Sequence, residues 1–261
     1  MAPAGLHHLT NQIPKQRGLT GLILLHLFWI CRDRFIYQFF QSSRIGNLLQ
    51  TIALYAVPVV FAITLHEAAH GYVARIFGDQ TAWMLGRVTA NPLKHIDPIG
   101  TVLLPGILLL IHSPILFGWA KPVPVNFGNL RNPKRDMLWV AMAGPVANVI
   151  MAIGWALLMK DSAPGALFDS AALSKMAMAG VQINVMLMAF NLIPIPPLDG
   201  GRVVASILPR SLAHSYTQIE PYGLFIVMGL LLLDNQLGVI NAFIRPLIQG
   251  TVSLIAALVG V

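Results

Sequence analysis

The sequence IGNLLQTIALYAVPVVFAITLHEAAHGYVARIF, residues 45–77, indicates the fold class because it joins a long apolar run to a cluster of ionisable side chains. Residues 45–65 contain no Asp, Glu, Lys or Arg, and a glycine at position 78 follows the stretch. A helix needs about 20 apolar residues to cross a bilayer, and glycine commonly follows the end of a helix. The stretch therefore predicts a transmembrane helix from Ile45 to about Phe77.

Three further segments lack charged residues, namely 98–120, 137–159 and 176–198. Over the whole chain 56% of residues are hydrophobic and 10% are charged, against about 25% charged in an average soluble domain. This composition excludes a soluble globular protein. It predicts an all-α polytopic membrane protein with about five to six transmembrane helices in the lipid bilayer, and it gives no indication of the oligomeric state.

The charge balance and the cysteine count exclude other classes. The 17 Lys and Arg residues outnumber the 10 Asp and Glu residues, which gives a net charge of +7. No basic tract with interleaved aromatic residues indicates nucleic-acid binding, so we interpret the charge as membrane topology. The single cysteine, Cys31, excludes an intramolecular disulfide and a cysteine zinc cluster. A metal site in this chain must therefore use His and carboxylate ligands.

The pattern His66-Glu67-Ala68-Ala69-His70 is an HExxH motif near the end of the first predicted helix. Residues four apart lie on one face of a helix, so both imidazoles are placed to bind one Zn²⁺, with Glu67 as general base toward a water molecule. Ionisable residues inside a membrane are costly and commonly functional. The alternative is two histidines and a glutamate that are hydrogen-bonded within a helix bundle.

A catalytic zinc site needs a third protein ligand, and Asp199 is the best carboxylate candidate. It lies in the stretch NLIPIPPLDGG, residues 191–201, directly after a charge-free segment. Its prolines remove backbone donors and its glycines permit close approach, which is typical of a helix interrupted in the membrane to direct a carboxylate inward. The alternative is an ordinary interfacial turn with a solvated Asp199.

Four motifs in this order resemble the site-2 protease family of intramembrane zinc metalloproteases. They are HEAAH at 66–70, GRVTANPLKHIDPIGT at 86–101, AGPVAN at 143–148 and NLIPIPPLDGG at 191–201. The resemblance covers residues 45–210. It is to the compact bacterial and archaeal members that lack an inserted PDZ domain.

The resemblance implies one zinc ion per chain, held by His66, His70 and Asp199. It also implies that Glu67 activates water to attack a peptide bond of a membrane-embedded substrate. Asn148, in the family's GPxxN motif, is implied to be catalytic by hydrogen bonding to the substrate carbonyl or oxyanion. From the residue alone, the same side chain is suited to joining two helices.

The segment after the HExxH helix carries less definite signals. Gly86–Asn91 resembles a strand-like loop of the family that pairs with an unwound substrate. We expect His95, beside this loop, to be a surface or interfacial histidine rather than a ligand. Residues 99–117 are apolar but interrupted by prolines, so they form either one kinked span or a re-entrant pair.

These signals divide the chain into three parts. Residues 1–44 form an N-terminal extension with a short apolar run, which predicts an interfacial or weakly spanning helix. Residues 45–210 form the catalytic membrane core. Residues 211–261 form C-terminal transmembrane helices.

The sequence therefore predicts an intramembrane zinc metalloprotease that cleaves membrane proteins within or near transmembrane segments, as in regulated intramembrane proteolysis. The alternative is a zinc-binding transporter or channel, because intramembrane His and Asp also line ion paths.

If 99–117 is re-entrant, seven basic residues lie on the same side of the membrane, and the positive-inside rule assigns that side to the cytoplasm. They are Arg75, Arg87, Lys94, Lys121, Arg131, Lys134 and Arg135. We expect a multi-pass protein of the inner membrane with its active site toward the cytoplasm.

Overall fold

The computed structural model describes residues 45–111, 120–233, 238 and 240–260, and every regular element in these ranges is helical. The α-helices are α1 (Ile45–Ile76), α2 (Thr81–Met84), α3 (Leu104–Leu110), α4 (Pro133–Asp161), α5 (Ala171–Asn191), α6 (Asp199–Ile207), α7 (Arg210–Thr217), α8 (Gly223–Leu232) and α9 (Arg245–Val259). Short 3-10 helices lie at Pro92–Lys94, Phe127–Asn129 and Glu220–Tyr222, and π-helical turns at Pro98–Leu103 and Ile240–Ile244 precede α3 and α9. The all-α prediction is confirmed for the described residues. The expected helix in residues 1–44 lies outside them.

Three of these helices are long and apolar enough to cross a membrane. They are α4, α5 and the helix that runs from Asn241 through α9 to Val259. They have 29, 21 and 19 residues, and a helix needs about 20 to cross the hydrocarbon core of a bilayer. The chain is therefore a membrane protein.

The centre of the molecule is a packed group of α1, α4 and α5. The largest contact joins α4 to α5, and α1 packs against both, while α6 packs against α4. Small side chains such as Ala152, Ala156 and Ala189 are fully or almost fully buried where these helices meet. Small residues let helix backbones approach closely, which is how helices pack in lipid, where apolar surface alone gives no driving force.

The end of α1 is tied to the chain that precedes α4 through Asp79. α1 ends at Ile76, as the sequence predicts, and the buried Asp79 carboxylate accepts hydrogen bonds from Thr81 N, Asn126 N and Asn129 Nδ2 at 3.0, 2.7 and 3.2 Å. Burial acts to raise the pKa of Asp79, but the hydrogen bond from the Thr81 hydroxyl, together with those from Thr81 N, Asn126 N and Asn129, outweighs it and holds the pKa below its usual value. The ionised carboxylate therefore fixes the segment that leads to Asn126 beside α1.

Candidate metal centre and active site

The two histidines of the HExxH motif meet on the face of α1 that packs against α4. Their rings lie edge to face, with centroids 4.7 Å apart and an interplanar angle of 80°. The Nε2 atoms of His66 and His70 are 3.1 Å apart, and both side chains are buried. The i, i+4 spacing of a helix therefore brings two ligand nitrogens together, as the sequence predicts.

A proline-containing turn connects α5 to α6. It covers residues 192–198. A Cβ atom at Gly200 would collide with the Leu192 carbonyl, and one at Gly201 would collide with the backbone at Pro196. Because only glycine lacks this atom, the two glycines allow α6 to begin directly against the turn.

Asp199 is the first residue of α6, and its carboxylate meets the histidine pair. Its Oδ2 lies 3.2 Å from His66 Nε2 and 3.3 Å from His70 Nε2. The side chain is buried, so the alternative of a solvated Asp199 is wrong. The interrupted helix directs the carboxylate inward.

Helix α4 contacts the Nδ1 atom of each imidazole ring, on the side away from Asp199. His70 Nδ1 lies 2.6 Å from the backbone carbonyl of Val140, and His66 Nδ1 lies 2.6 Å from Asn148 Oδ1. Both partners are oxygen acceptors, so each Nδ1 carries a proton and donates it. In the neutral rings, each Nε2 then presents its lone pair toward Asp199.

Gly144 of α4 faces the two rings and leaves the space between them open. A Cβ atom at this position would lie 2.6 Å from His66 Nε2 and 2.5 Å from His66 Cε1, and closer still to His70 Nε2. Real Cβ atoms essentially never approach other heavy atoms to less than 3.0 Å. The space in front of both Nε2 atoms therefore exists only because residue 144 has no side chain.

The donor set fits a zinc ion. One ligand atom each from His66, His70 and Asp199 lies within 4.8 Å of the others, so the group could hold a metal ion. Among the described residues, Asp199 Oδ2 has no hydrogen-bond donor. Two nitrogen lone pairs and a carboxylate oxygen facing one another are stabilised by a cation between them. Two imidazoles and one carboxylate, with a fourth position for water, form a ligand set that catalytic zinc uses.

The Glu67 side chain is half-buried and contacts the segment around Val123. Its Oε2 accepts a hydrogen bond of 2.7 Å from Val123 N. The chain around Val123 is itself held, because Arg87 donates to the carbonyls of Lys121 and Pro122, and Lys121 N donates to the His95 carbonyl. The sequence does not predict this contact of Glu67, because the donor is a backbone N–H group and no particular side chain indicates it.

Sequence comparisons place the chain in a known family. Residues 158–233 match the model of peptidase family M50. The chain is 40% identical over 203 residues to the protein of Bacillus subtilis (strain 168) named "Putative zinc metalloprotease YwhC", with 76% of this chain and 84% of that protein covered. The chain belongs to peptidase family M50.

Two further relatives carry the same kind of name. Rip2 of Mycolicibacterium smegmatis is 27% identical over 209 residues, which cover 79% of this chain and 74% of that protein. MJ0611 of Methanocaldococcus jannaschii is 31% identical over 168 residues, which cover 63% of this chain and 75% of that protein. No solved structure matches the chain significantly.

M50 is the site-2 protease family, so the resemblance seen in the motifs is confirmed. As a member, the protein is an intramembrane zinc metalloprotease, and its substrate is a protein within the membrane. A transporter or channel is no longer needed to explain the intramembrane His and Asp residues.

Other residues of this M50 peptidase differ from the sequence-based expectations. His95 is 2% exposed, so the prediction of a surface or interfacial histidine is wrong; its Nε2 lies 3.1 Å from the Thr89 carbonyl. Gly86–Asn91 forms turns and bends, and no strand occurs in the described ranges. The expected catalytic contact of Asn148 with the substrate stays a prediction; the residue is fully buried, and its amide contacts His66 and Asn184.

Proposed function

We propose that His66, His70 and Asp199 hold the zinc ion of this M50 peptidase and that Glu67 is its general base. The observation that carries the proposal is the convergence of three buried ligand atoms, from two separate segments of the chain, on the space that Gly144 leaves open. Zinc bound there would act as a Lewis acid that lowers the pKa of water toward about 7 and polarises the scissile carbonyl.

The protein's own residues account for the proton transfers. Glu67 accepts a proton from the attacking water and later delivers it to the leaving amine. The Val123 N–H engages Oε2 of this carboxylate, which leaves Oε1 for the proton. Asn148 supports catalysis by orienting His66, since its carbonyl oxygen faces the His66 ring and its NH2 group faces Asn184 and Ala62.

The proposed substrate is a transmembrane helix of another protein, cleaved within or near the bilayer, as in regulated intramembrane proteolysis. In an α-helix each peptide carbonyl accepts a hydrogen bond from the amide four residues on, so the substrate must unwind before water can attack. Unsatisfied backbone groups cost several kcal/mol each in an apolar site. Local helix weakness is therefore expected to favour cleavage.

This function is tested by finding the products. The purified protein is incubated with membrane proteins from a strain that lacks it, and new termini are sequenced with and without a zinc chelator. We expect cleavage within or beside transmembrane segments, loss of cleavage with chelator, and recovery when zinc is added back. A His66→Ala variant is the control for contaminating proteases. Products confined to soluble domains, or cleavage that persists in the chelator and in His66→Ala, would contradict the proposal.

We also propose the finer architecture that the sequence predicts. Helix α1 has 32 residues, about 48 Å at 1.5 Å per residue, and counts as a further span within the catalytic core of residues 45–210. Residues 211–261 contribute C-terminal spans, for the total of about five to six spans that the sequence predicts. The expectations for residues 1–44, and part of the expectation for 99–117, fall outside the described residues.

The proposed orientation places the active site toward the cytoplasmic side of the inner membrane. The end of α1 and the start of α4 lie together, because Arg131 N donates to the Phe77 carbonyl at 3.0 Å. The basic residues near both helix ends therefore share one side, which the positive-inside rule assigns to the cytoplasm.

Cysteine labelling of intact cells measures this orientation. In a Cys31→Ser background, we expect an impermeant thiol reagent to label Leu167→Cys from outside and to label Arg131→Cys only after permeabilisation. Both native side chains are exposed, so access to the reagent depends on the membrane. External labelling of position 131 with none at 167 would reverse the orientation.

A further inference from the structure

We propose that Asn184 is a positioning residue for the metal centre and acts through Asn148 to hold His66 in the tautomer that binds zinc. This inference deepens the proposed function, because it rests on His66 as a ligand. Asn184 lies on α5, outside the four family motifs.

Asn148 and Asn184 are both fully buried, on α4 and α5 respectively. A buried amide without hydrogen bonds is destabilising, so buried amides in apolar helices need partners in fixed positions. Asn184 Nδ2 donates to the Gly180 carbonyl at 2.8 Å, and Asn184 Oδ1 accepts from Asn148 Nδ2 at 2.9 Å. The two amides thus form one connected chain of hydrogen bonds.

The Gly180 carbonyl decides which atom donates and which accepts in each of these hydrogen bonds. A carbonyl can only accept, so Asn184 must turn its NH2 group toward Gly180 and its oxygen toward Asn148. Asn148 must then turn its NH2 group toward Asn184 and its oxygen toward His66 Nδ1, 2.6 Å away. His66 Nδ1 must donate, which leaves Nε2 with a lone pair toward His70 and Asp199.

A comparison with His70 shows why His66 needs these two hydrogen-bonded amides. The His70 Nδ1 faces a backbone carbonyl, that of Val140, which fixes its tautomer directly. His66 instead faces a side-chain amide that would offer a donor if it turned over. The remaining contact that opposes this flip, from Asn148 Nδ2 to the Ala62 carbonyl, is 3.4 Å long and therefore weak. Asn184 supplies the stronger restraint.

Zinc affinity distinguishes positioning from simple helix–helix contact. Competition with a chromophoric chelator gives the zinc dissociation constant of each variant in detergent. We expect Asn184→Leu to weaken zinc binding about tenfold, since partners of ligating histidines typically contribute 10- to 100-fold, and to change the visible spectrum of the Co²⁺-substituted protein. Gln182→Leu is the matched control, because it removes an amide from the same helix, and the Nε2 atom of this amide has no hydrogen-bond partner among the described residues.

A double-variant cycle tests whether the effect passes through Asn148. In Asn148→Asp the carboxylate offers an oxygen to His66 in either orientation, so Asn184→Leu should then leave zinc affinity unchanged or raise it. An equal loss of affinity in both backgrounds would show that Asn184 does not act through Asn148. Should Asn184→Leu fail to fold, Asn184→Ala is measured by the same criteria.

Two outcomes separate this inference from the proposed function. If Asn184→Leu lowers the unfolding temperature but keeps zinc affinity and the Co²⁺ spectrum, Asn184 only joins α4 to α5 and the inference is wrong. If His66→Ala also keeps wild-type zinc affinity, the ligand assignment itself is wrong, whatever the result at position 184.

Discussion

Replacing Gly144 by alanine is expected to abolish zinc binding and proteolysis while the protein still folds. The added methyl carbon would lie within 2.6 Å of His66 Nε2 and closer to His70 Nε2, whereas the two nitrogens are 3.1 Å apart. It would therefore fill the space in front of both ligand nitrogens. We expect zinc affinity to fall by more than about 100-fold, beyond the range for residues that only support a ligand.

Helix α4 cannot easily move away to relieve this clash. Its Val140 carbonyl and its Asn148 side chain are both hydrogen-bonded to the histidine rings, so a shift of the helix would break those bonds. Overpacking of this kind typically costs about 1–3 kcal/mol of stability. The variant should therefore melt at a lower temperature but remain folded.

Gly154→Ala is the matched control for this prediction. It makes the same change in the same helix at a position where a Cβ atom meets no described residue within 4 Å. We expect full zinc content and activity, with stability raised by up to about 1 kcal/mol because alanine favours helix more than glycine does. Full zinc and activity in Gly144→Ala, or equal loss in both variants, would contradict the assignment.

The second large effect is expected for Glu67→Gln, which should keep zinc and lose proteolysis. Glutamine keeps the shape of the side chain and an oxygen for the Val123 N–H, but it cannot accept the proton of the attacking water. Loss of a general base typically lowers the rate by about 10²- to 10⁴-fold. Zinc content and turnover are measured on the same preparation.

The control for Glu67→Gln is Val123→Ala, which keeps the backbone N–H that contacts Glu67. We expect it to keep both zinc and most of the activity. Wild-type turnover in Glu67→Gln would remove Glu67 from the mechanism. Loss of zinc in that variant would indicate that Glu67 helps to hold the metal instead.

The sequence predicts the local features of this site well. The HExxH spacing predicts the histidine pair because i, i+4 geometry is a property of one helix. The charge-free stretches 137–159 and 176–198 predict α4 and α5, although both helices begin before these stretches, at Pro133 and Ala171. The prolines and glycines around Asp199 predict the interruption, because their backbone constraints also act locally.

The contacts between helices are harder to predict. Gly144, Asn148 and Asn184 interact with the histidines only because α4 and α5 are rotated to face α1, and rotation depends on the packing of whole helices. The backbone donor at Val123 depends on the path of a loop. An uncharged polar residue in a charge-free span, such as Asn184, was the signal available for part of this network.

The most direct test is to locate the metal itself. Diffraction data from crystals of the purified protein, collected on either side of the zinc absorption edge, give an anomalous difference map of the zinc position. We predict one strong peak per chain, bonded to His66 Nε2, His70 Nε2 and an oxygen of Asp199. A proteolytically active protein whose zinc peak lies away from these three residues would contradict the account.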